Sequence, residues 1–115
     1  MTNRRWWQLV SVMTMAMIAV GSLVPPPPDA APIGSPIPVS IVLHLLAYGA
    51  LSVTLMGAQR SHERAVIVAV GVATGFGVGM EIAQLQVPGR EGTLPDVLTN
   101  AIGAAVGACG WHAFR

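Results

Sequence analysis

The stretch AVIVAVGVATGFGVGMEIAQLQV, residues 65–87, contains a single charged side chain, that of Glu81. At a rise of 1.5 Å per residue, a helix of about 20 residues spans the roughly 30 Å hydrocarbon core of a bilayer. Helices of soluble proteins are rarely apolar on every side over such a length. The stretch therefore predicts a transmembrane helix.

Three further apolar stretches of similar length lie along the chain, at residues 6–24, 39–58 and 97–114. The segments between the four stretches are rich in proline or charge, at residues 25–38, 60–64 and 88–95. Proline disfavours the continuation of a helix, and four segments are too few to close a membrane β-barrel. The sequence predicts one all-α domain over residues 1–115, a transmembrane bundle of four helices.

The composition agrees with a membrane protein and argues against other classes. Hydrophobic residues make up 53% of the chain and charged residues only 10%, whereas soluble domains carry about 25% charged residues. The chain has no lysine and a net charge of +1, so we expect no nucleic-acid partner. A single cysteine, Cys109, excludes an intrachain disulfide and a cysteine-based metal cluster.

The placement of the arginines predicts the orientation. If the four helices alternate in direction across the membrane, Arg90 lies on one side of it. The other five arginines then lie on the opposite side: Arg4, Arg5, Arg60, Arg64 and Arg115. Positive residues favour the cytoplasmic side, so we predict a multi-pass protein of the cell membrane with both termini in the cytoplasm. An alternative interpretation of residues 1–24 is a cleaved secretory signal, although this apolar run is longer than the usual 7–15 residues.

Polar side chains near the predicted outer ends of three helices form the candidate site. They occur as pairs at i, i+3 or i, i+4 spacing, which share a helix face: His44 with Tyr48, Glu81 with Gln84, and Asp96 with Asn100. Alternation places all six within roughly 10–12 Å of the outer boundary. A charge inside a membrane span costs about 2.5–3.5 kcal/mol on insertion scales, so these residues need a reason to be there.

We predict that Glu81, His44 and Asp96 are the catalytic, proton-transferring groups of this site. Arg90, in the loop above it, is predicted to bind an anionic group, together with three polar neighbours, Tyr48, Gln84 and Asn100. No cofactor and no metal is assigned. A metal ion held by the first three residues is a weaker alternative, and whether the protein is an enzyme stays open.

Glycines at every fourth position predict close helix contacts. They are Gly71, Gly75 and Gly79 on the third helix and Gly103 and Gly107 on the fourth. Whether these contacts lie within one chain or in a homo-oligomer is open. An alternative hypothesis follows, in which the polar layer and the glycine faces only support packing or oligomerisation, without catalysis.

Two segments, HLLAYGALSVTL at residues 44–55 and GMEIAQLQVPGREGTLPDVLTNAIGAAVG at residues 79–107, resemble the VanZ-like membrane protein family. The family pattern of His, Tyr, Glu-x-x-Gln, Arg, Asp, Asn and two glycines falls on His44, Tyr48, Glu81, Gln84, Arg90, Asp96, Asn100, Gly103 and Gly107. Ser40, Ile41 and Thr93 depart from what many members have.

The resemblance implies a small membrane protein with no established reaction. The named member of the family is associated with teicoplanin resistance, so a link to lipoglycopeptide antibiotics is implied as well. The partners we expect are membrane lipid and a lipid-linked or anionic small molecule of the cell envelope.

Overall fold

A computed structural model describes residues 2–23, 39–59, 63–87 and 94–114 of the chain. These residues form four helices: α1 (Thr2–Leu23), α2 (Val39–Ala58), α3 (Ala65–Gln84) and α4 (Leu94–Phe114). Helix α2 packs against the other three helices, most extensively against α4. The prediction of an all-helical chain is confirmed.

Three of the helices, α1, α2 and α3, are long and apolar enough to cross a membrane by length and composition. Helix α4 is not among them, and its first turns hold Asp96, Thr99 and Asn100. That α4 crosses the membrane as well, and that both termini face the cytoplasm, therefore stay predictions.

The helices begin and end close to the predicted ranges, and the differences have local causes. Helix α2 spans residues 39–58, as the sequence indicated, and α1 begins four residues earlier than its predicted start. Helix α3 ends at Gln84 rather than at residue 87, because the amides of residues 85–87 bond to carbonyls three residues back, which tightens the chain before Pro88. Helix α4 begins at Leu94, so Pro95 lies in the first turn, where its missing N–H leaves no bond unmade.

Apolar side chains cover the outside of the bundle. Those exposed over more than half of their surface include Leu9, Val12, Met17, Val20, Leu46, Ile67, Ile82, Ile102 and Val106. The fully buried residues are mainly small or polar, among them Ala69, Ala73, Ala104, Ala108, Ser52 and Asn100. A continuous apolar surface of this kind is unfavourable in water and matches lipid, so the packing agrees with a membrane protein.

Two glycines bring α4 into backbone contact with α2. A Cβ atom added at Gly103 would lie 2.7 Å from the carbonyl oxygen of Leu45. One added at Gly107 would collide with the carbonyl oxygen of Gly49 and the hydroxyl of Ser52. These glycines therefore lie where the sequence indicated a close helix contact, and any side chain there would push the two helices apart.

Helix α3 carries two stripes of small residues, and the one buried in the bundle is not the glycine stripe selected from the sequence. Gly71, Gly75 and Gly79 are exposed, and a Cβ atom at any of them would meet nothing within 4 Å. The buried stripe is Ala65, Ala69, Ala73, Gly77 and Glu81. Within the described residues the packing role falls on this second stripe, and a contact of Gly71, Gly75 and Gly79 with another chain stays a prediction. Residues two positions apart differ by about 200° around a helix, so the two stripes face opposite ways.

Candidate functional site

Three helices bring His44, Glu81 and Asp96 to one place, and we call these residues the polar triad. His44 lies near the start of α2, Glu81 in the last turn of α3, and Asp96 in the first turn of α4. The Nε2 atom of His44 is 3.9 Å from Oε1 of Glu81. One nitrogen or oxygen atom from each residue lies within 4.8 Å of the other two. The alternation of the helices thus gathers residues that are far apart in the sequence.

The polar triad is partly sheltered. The Glu81 side chain is 8% exposed and that of His44 is 20% exposed. The triad contains two carboxyl groups and one imidazole, so its ionised form is negative even when the imidazole is protonated. Like charges repel strongly in a medium of low dielectric constant, and a cation bound between the two carboxyl groups would offset that repulsion.

A second layer lies one helical turn deeper, at Tyr48 on α2, Gly77 on α3 and Asn100 on α4. Tyr48 and Asn100 are almost fully buried. A Cβ atom at Gly77 would lie 2.9 Å from Nδ2 of Asn100 and 3.1 Å from Cε1 of Tyr48. Gly77 therefore makes the room in which both side chains lie. The sequence analysis did not select Gly77, although its position four residues before Glu81 was a usable signal.

Stacking orients the imidazole above this deeper layer. The rings of His44 and Tyr48 are nearly parallel, at an angle of 4°, with their centroids 6.4 Å apart. Tyr48 is held in turn by Phe76, whose ring centroid is 6.4 Å away. The aromatic rings of His44, Tyr48 and Phe76 thus line one side of the site.

The amide group of Asn100 is the most unusual feature of the deeper layer. Asn100 is 1% exposed, and neither its Oδ1 nor its Nδ2 atom has a hydrogen-bond partner among the residues that the structure describes. A buried polar group without a partner costs about 1–3 kcal/mol. Such a group in a folded protein calls for an explanation, of which a bound molecule is one.

Gln84 makes a contact with α1 that the sequence did not indicate. Its Nε2 atom donates a hydrogen bond to the carbonyl oxygen of Ser22, at 3.1 Å. Ser22 lies in the last turn of α1, where carbonyl groups have no partner within their own helix. Gln84 therefore joins the end of α3 to the end of α1.

A pocket of about 540 Å³ lies between α1 and α2 and reaches His44 of the polar triad. Most of its lining is apolar, while His44, Tyr48, Gln84 and Ser22 place polar groups along it. Helix α1 contributes Thr14, Met17, Ile18, Gly21 and Ser22 to the lining. We call this pocket the α1–α2 groove. The sequence analysis missed it, because the groove exists only once α1 and α2 have packed together.

Comparison with known proteins identifies the family. The family model described as VanZ/LLP1 matches residues 3–115. The chain belongs to the VanZ/LLP1 family. No curated protein and no solved structure matches it. The match covers all four helices of this VanZ/LLP1 protein, so the polar triad, Asn100 and the α1–α2 groove all lie within the family domain.

The remaining predicted site residue of this VanZ/LLP1 protein, Arg90, lies outside the described residues, as do the other residues of 88–93. Among the described ones, the geometry permits three kinds of chemistry. The triad can exchange protons or hydrogen bonds with a polar group, it can hold a cation, and the α1–α2 groove can take an apolar chain beside it.

Proposed function

We propose that this VanZ/LLP1 protein crosses the cell membrane four times, with both termini in the cytoplasm and the polar triad near the outer surface. Nε of Arg4 donates a hydrogen bond to the carbonyl oxygen of Ala58, at 3.2 Å, so the start of α1 lies beside the end of α2. Arg4, Arg5 and Arg64 are thus at the end of the bundle opposite the triad. Positive residues favour the cytoplasmic side, which supports an outward-facing triad.

We further propose that the protein binds an amphipathic, anionic or lipid-linked molecule of the cell envelope. The observation that carries this proposal is the α1–α2 groove, because a mainly apolar channel leads to polar groups at His44, Tyr48 and Gln84. Binding pockets of this type use apolar walls for affinity and a few polar groups for orientation. The ligand's chain would lie in the groove and its head group at the triad.

Each site residue then has a role. Glu81 and His44 would hydrogen-bond the head group or transfer a proton to it, and Asp96 and Asn100 would orient it. Arg90 would contact the anionic part from the loop between α3 and α4. If the ligand is a molecule that lipoglycopeptide antibiotics meet at the outer surface, reduced susceptibility to those antibiotics would follow.

Photolabelling tests the groove. The purified full chain, in nanodiscs, is exposed to phosphatidylglycerol that carries a photoactivatable acyl chain. We expect labelled peptides from α1 and α2, and at least fivefold less labelling in Gly21→Leu, because Gly21 lines the groove and a Cβ atom there would meet nothing within 4 Å. Gly110→Leu is the matched control, because a Cβ atom there also meets nothing within 4 Å. Equal labelling of both variants would reject the groove as the binding site.

A second comparison tests the head-group end. Glu81→Gln removes the buried carboxylate, and Glu63→Gln makes the same chemical change at an exposed position outside the site. We expect Glu81→Gln to abolish any protection of cells against lipoglycopeptides and to weaken lipid labelling, while Glu63→Gln behaves as wild type. Membrane levels of both variants are measured by immunoblot. A fully active Glu81→Gln protein would exclude a role for this carboxylate.

The second candidate is a structural role in an assembly, and the exposed glycine stripe of α3 favours it. Small residues let helices approach closely in lipid, and a Cβ atom at Gly71, Gly75 or Gly79 would meet none of the described residues within 4 Å. An assembly through this face predicts a mass above that of one chain in a mild detergent, lowered to one chain by Gly75→Leu. A strictly monomeric wild-type protein would remove this candidate.

A further inference from the structure

We propose that the polar triad binds one divalent cation of the zinc or manganese type. The three ligand atoms come from three different helices and already lie within 4.8 Å of one another. Ligands about 2.0–2.2 Å from a tetrahedral zinc ion are roughly 3.5 Å apart. The Nε2 to Oε1 distance of 3.9 Å between His44 and Glu81 is close to this value. Small side-chain rotations, which close the largest gap by about 1 Å, suffice to bring all three onto one ion.

The charge of the triad supports a cation. Glu81 is buried and Asp96 is half-buried, and carboxylate oxygens in such sheltered positions are ligands that divalent cations accept. A divalent ion offsets both carboxylates at once and leaves the imidazole neutral, which is the form that binds metals. The imidazole of His44 lies nearly parallel to the ring of Tyr48, with the centroids 6.4 Å apart.

Asn100 is the second, independent observation. Its side chain lies one turn below Asp96, against Gly77, which is itself one turn below Glu81. The amide thus projects into the space between the helices that carry the triad, and both of its polar atoms lack a partner in the described part of the chain. A water molecule or an oxygen ligand on the ion would give this amide the hydrogen bond that it lacks.

The donor set selects the kind of ion. One imidazole nitrogen and two carboxylate oxygens suit Zn²⁺, Mn²⁺ or Fe²⁺, whereas Ca²⁺ and Mg²⁺ prefer oxygen alone and Cu⁺ prefers sulfur. Three protein ligands also leave a coordination position open. An anionic oxygen of the head group fits that position, so the cation would explain how a site with two carboxylates accepts an anion. This last step rests on the proposed function; the binding of the ion does not.

Metal binding by the purified full chain tests the proposal. The protein carries an affinity tag without histidine, is stripped with a chelator in detergent, and is titrated with Zn²⁺ and, separately, Mn²⁺. We expect one ion per chain, with at least tenfold weaker binding in Glu81→Gln and in Asp96→Asn and unchanged binding in Glu63→Gln. Cys109→Ser should also bind as wild type. This control is needed because Cys109 and His112 are three residues apart on α4.

X-ray absorption on the zinc-loaded wild-type protein decides the matter if the variants do not fold. We expect imidazole and oxygen ligands and no sulfur. A wild-type protein that binds no ion, binding unchanged in both Glu81→Gln and Asp96→Asn, or a spectrum without imidazole would overturn the metal site. The ion alone is the probe, so these results leave lipid binding untouched. Bound zinc together with lipid labelling that Gly21→Leu does not reduce would reject the proposed function and keep the site.

Discussion

The two faces of α3 look alike in sequence and behave in opposite ways in the structure. One face carries Gly71, Gly75 and Gly79 and is exposed; the other carries Ala69, Ala73, Gly77 and Glu81 and is buried. Both have a small residue at every fourth position, so small residues alone do not identify the contact face of a membrane helix. What differs is the carboxylate. A charged group is costly against lipid, so the register of Glu81 marks the stripe that faces the other helices.

Exchanging one glycine on each face gives the largest expected difference. Gly77→Leu places a branched side chain against Asn100 and Tyr48, and we expect the free energy of unfolding to fall by about 3 kcal/mol or more. At Gly75 an added Cβ atom would meet none of the described residues within 4 Å, and we expect Gly75→Leu to change the free energy of unfolding by no more than about 0.5 kcal/mol. Unfolding by SDS in mixed micelles measures both. A similar decrease in the free energy of unfolding in both variants would contradict the assignment of the Gly77 face as buried and the Gly75 face as exposed.

The next largest effect is expected for Asn100 on α4, which packs against the buried face of α3. Here we expect the free energy of unfolding to rise rather than fall. The substitution Asn100→Leu removes an amide that has no hydrogen-bond partner among the described residues. It replaces this amide by an apolar group of similar size. We expect the metal-free protein to gain about 1–2 kcal/mol in unfolding free energy, because the buried polar group is removed. The same variant should lose affinity for Zn²⁺, measured by titration. A loss of stability instead would mean that the amide has a partner that stabilises the fold.

Gln84 and Gln86, which follow the small-residue stripes in the sequence, also differ in burial. Gln84 is buried and donates to Ser22, whereas Gln86 is exposed. We expect Gln84→Leu to lower the free energy of unfolding by about 1 kcal/mol, the usual worth of one hydrogen bond, and to speed protease cleavage near the end of α1. Gln86→Leu should change neither. Equal cleavage rates in the two variants would contradict a tie between α1 and α3 through Gln84.

The smallest effect is expected for Gly71→Ala on the exposed face. A methyl group there meets nothing within 4 Å, and alanine favours the helix slightly over glycine. We expect a change within about 0.5 kcal/mol, measured for a monomeric sample in the same micelles. A loss above 1 kcal/mol would indicate that this face is covered in the folded state, and a mass measurement would then identify a second copy.

The sequence predicted those parts of the fold and site that follow from helix length and alternation. An apolar run that matches the bilayer fixed the bounds of α2. Alternation then required the start of α2, the end of α3 and the start of α4 to lie at one end of the bundle, which is why the structure places His44, Glu81 and Asp96 together.

What the sequence did not reveal depends on rotation and packing. The face of α3 that points inward is set by rotation about its axis, and the glycine pattern did not indicate that Ala69, Ala73 and Gly77 lie on it. The α1–α2 groove and the bond from Gln84 to Ser22 depend on how α1 docks, and no periodic feature of residues 2–23 encodes that.

The contact of α4 with α2 through Gly103 and Gly107 has a mechanical consequence. Helices in backbone contact cannot slide or separate without losing that contact, so α2 and α4 form the rigid frame of the molecule. Any movement that accompanies ligand entry would therefore involve α1 or α3 rather than this pair. Helix α1 borders the groove and is joined to α3 by one side-chain hydrogen bond near its end. We therefore expect α1 to move when a ligand binds, while α2 and α4 keep their positions relative to each other.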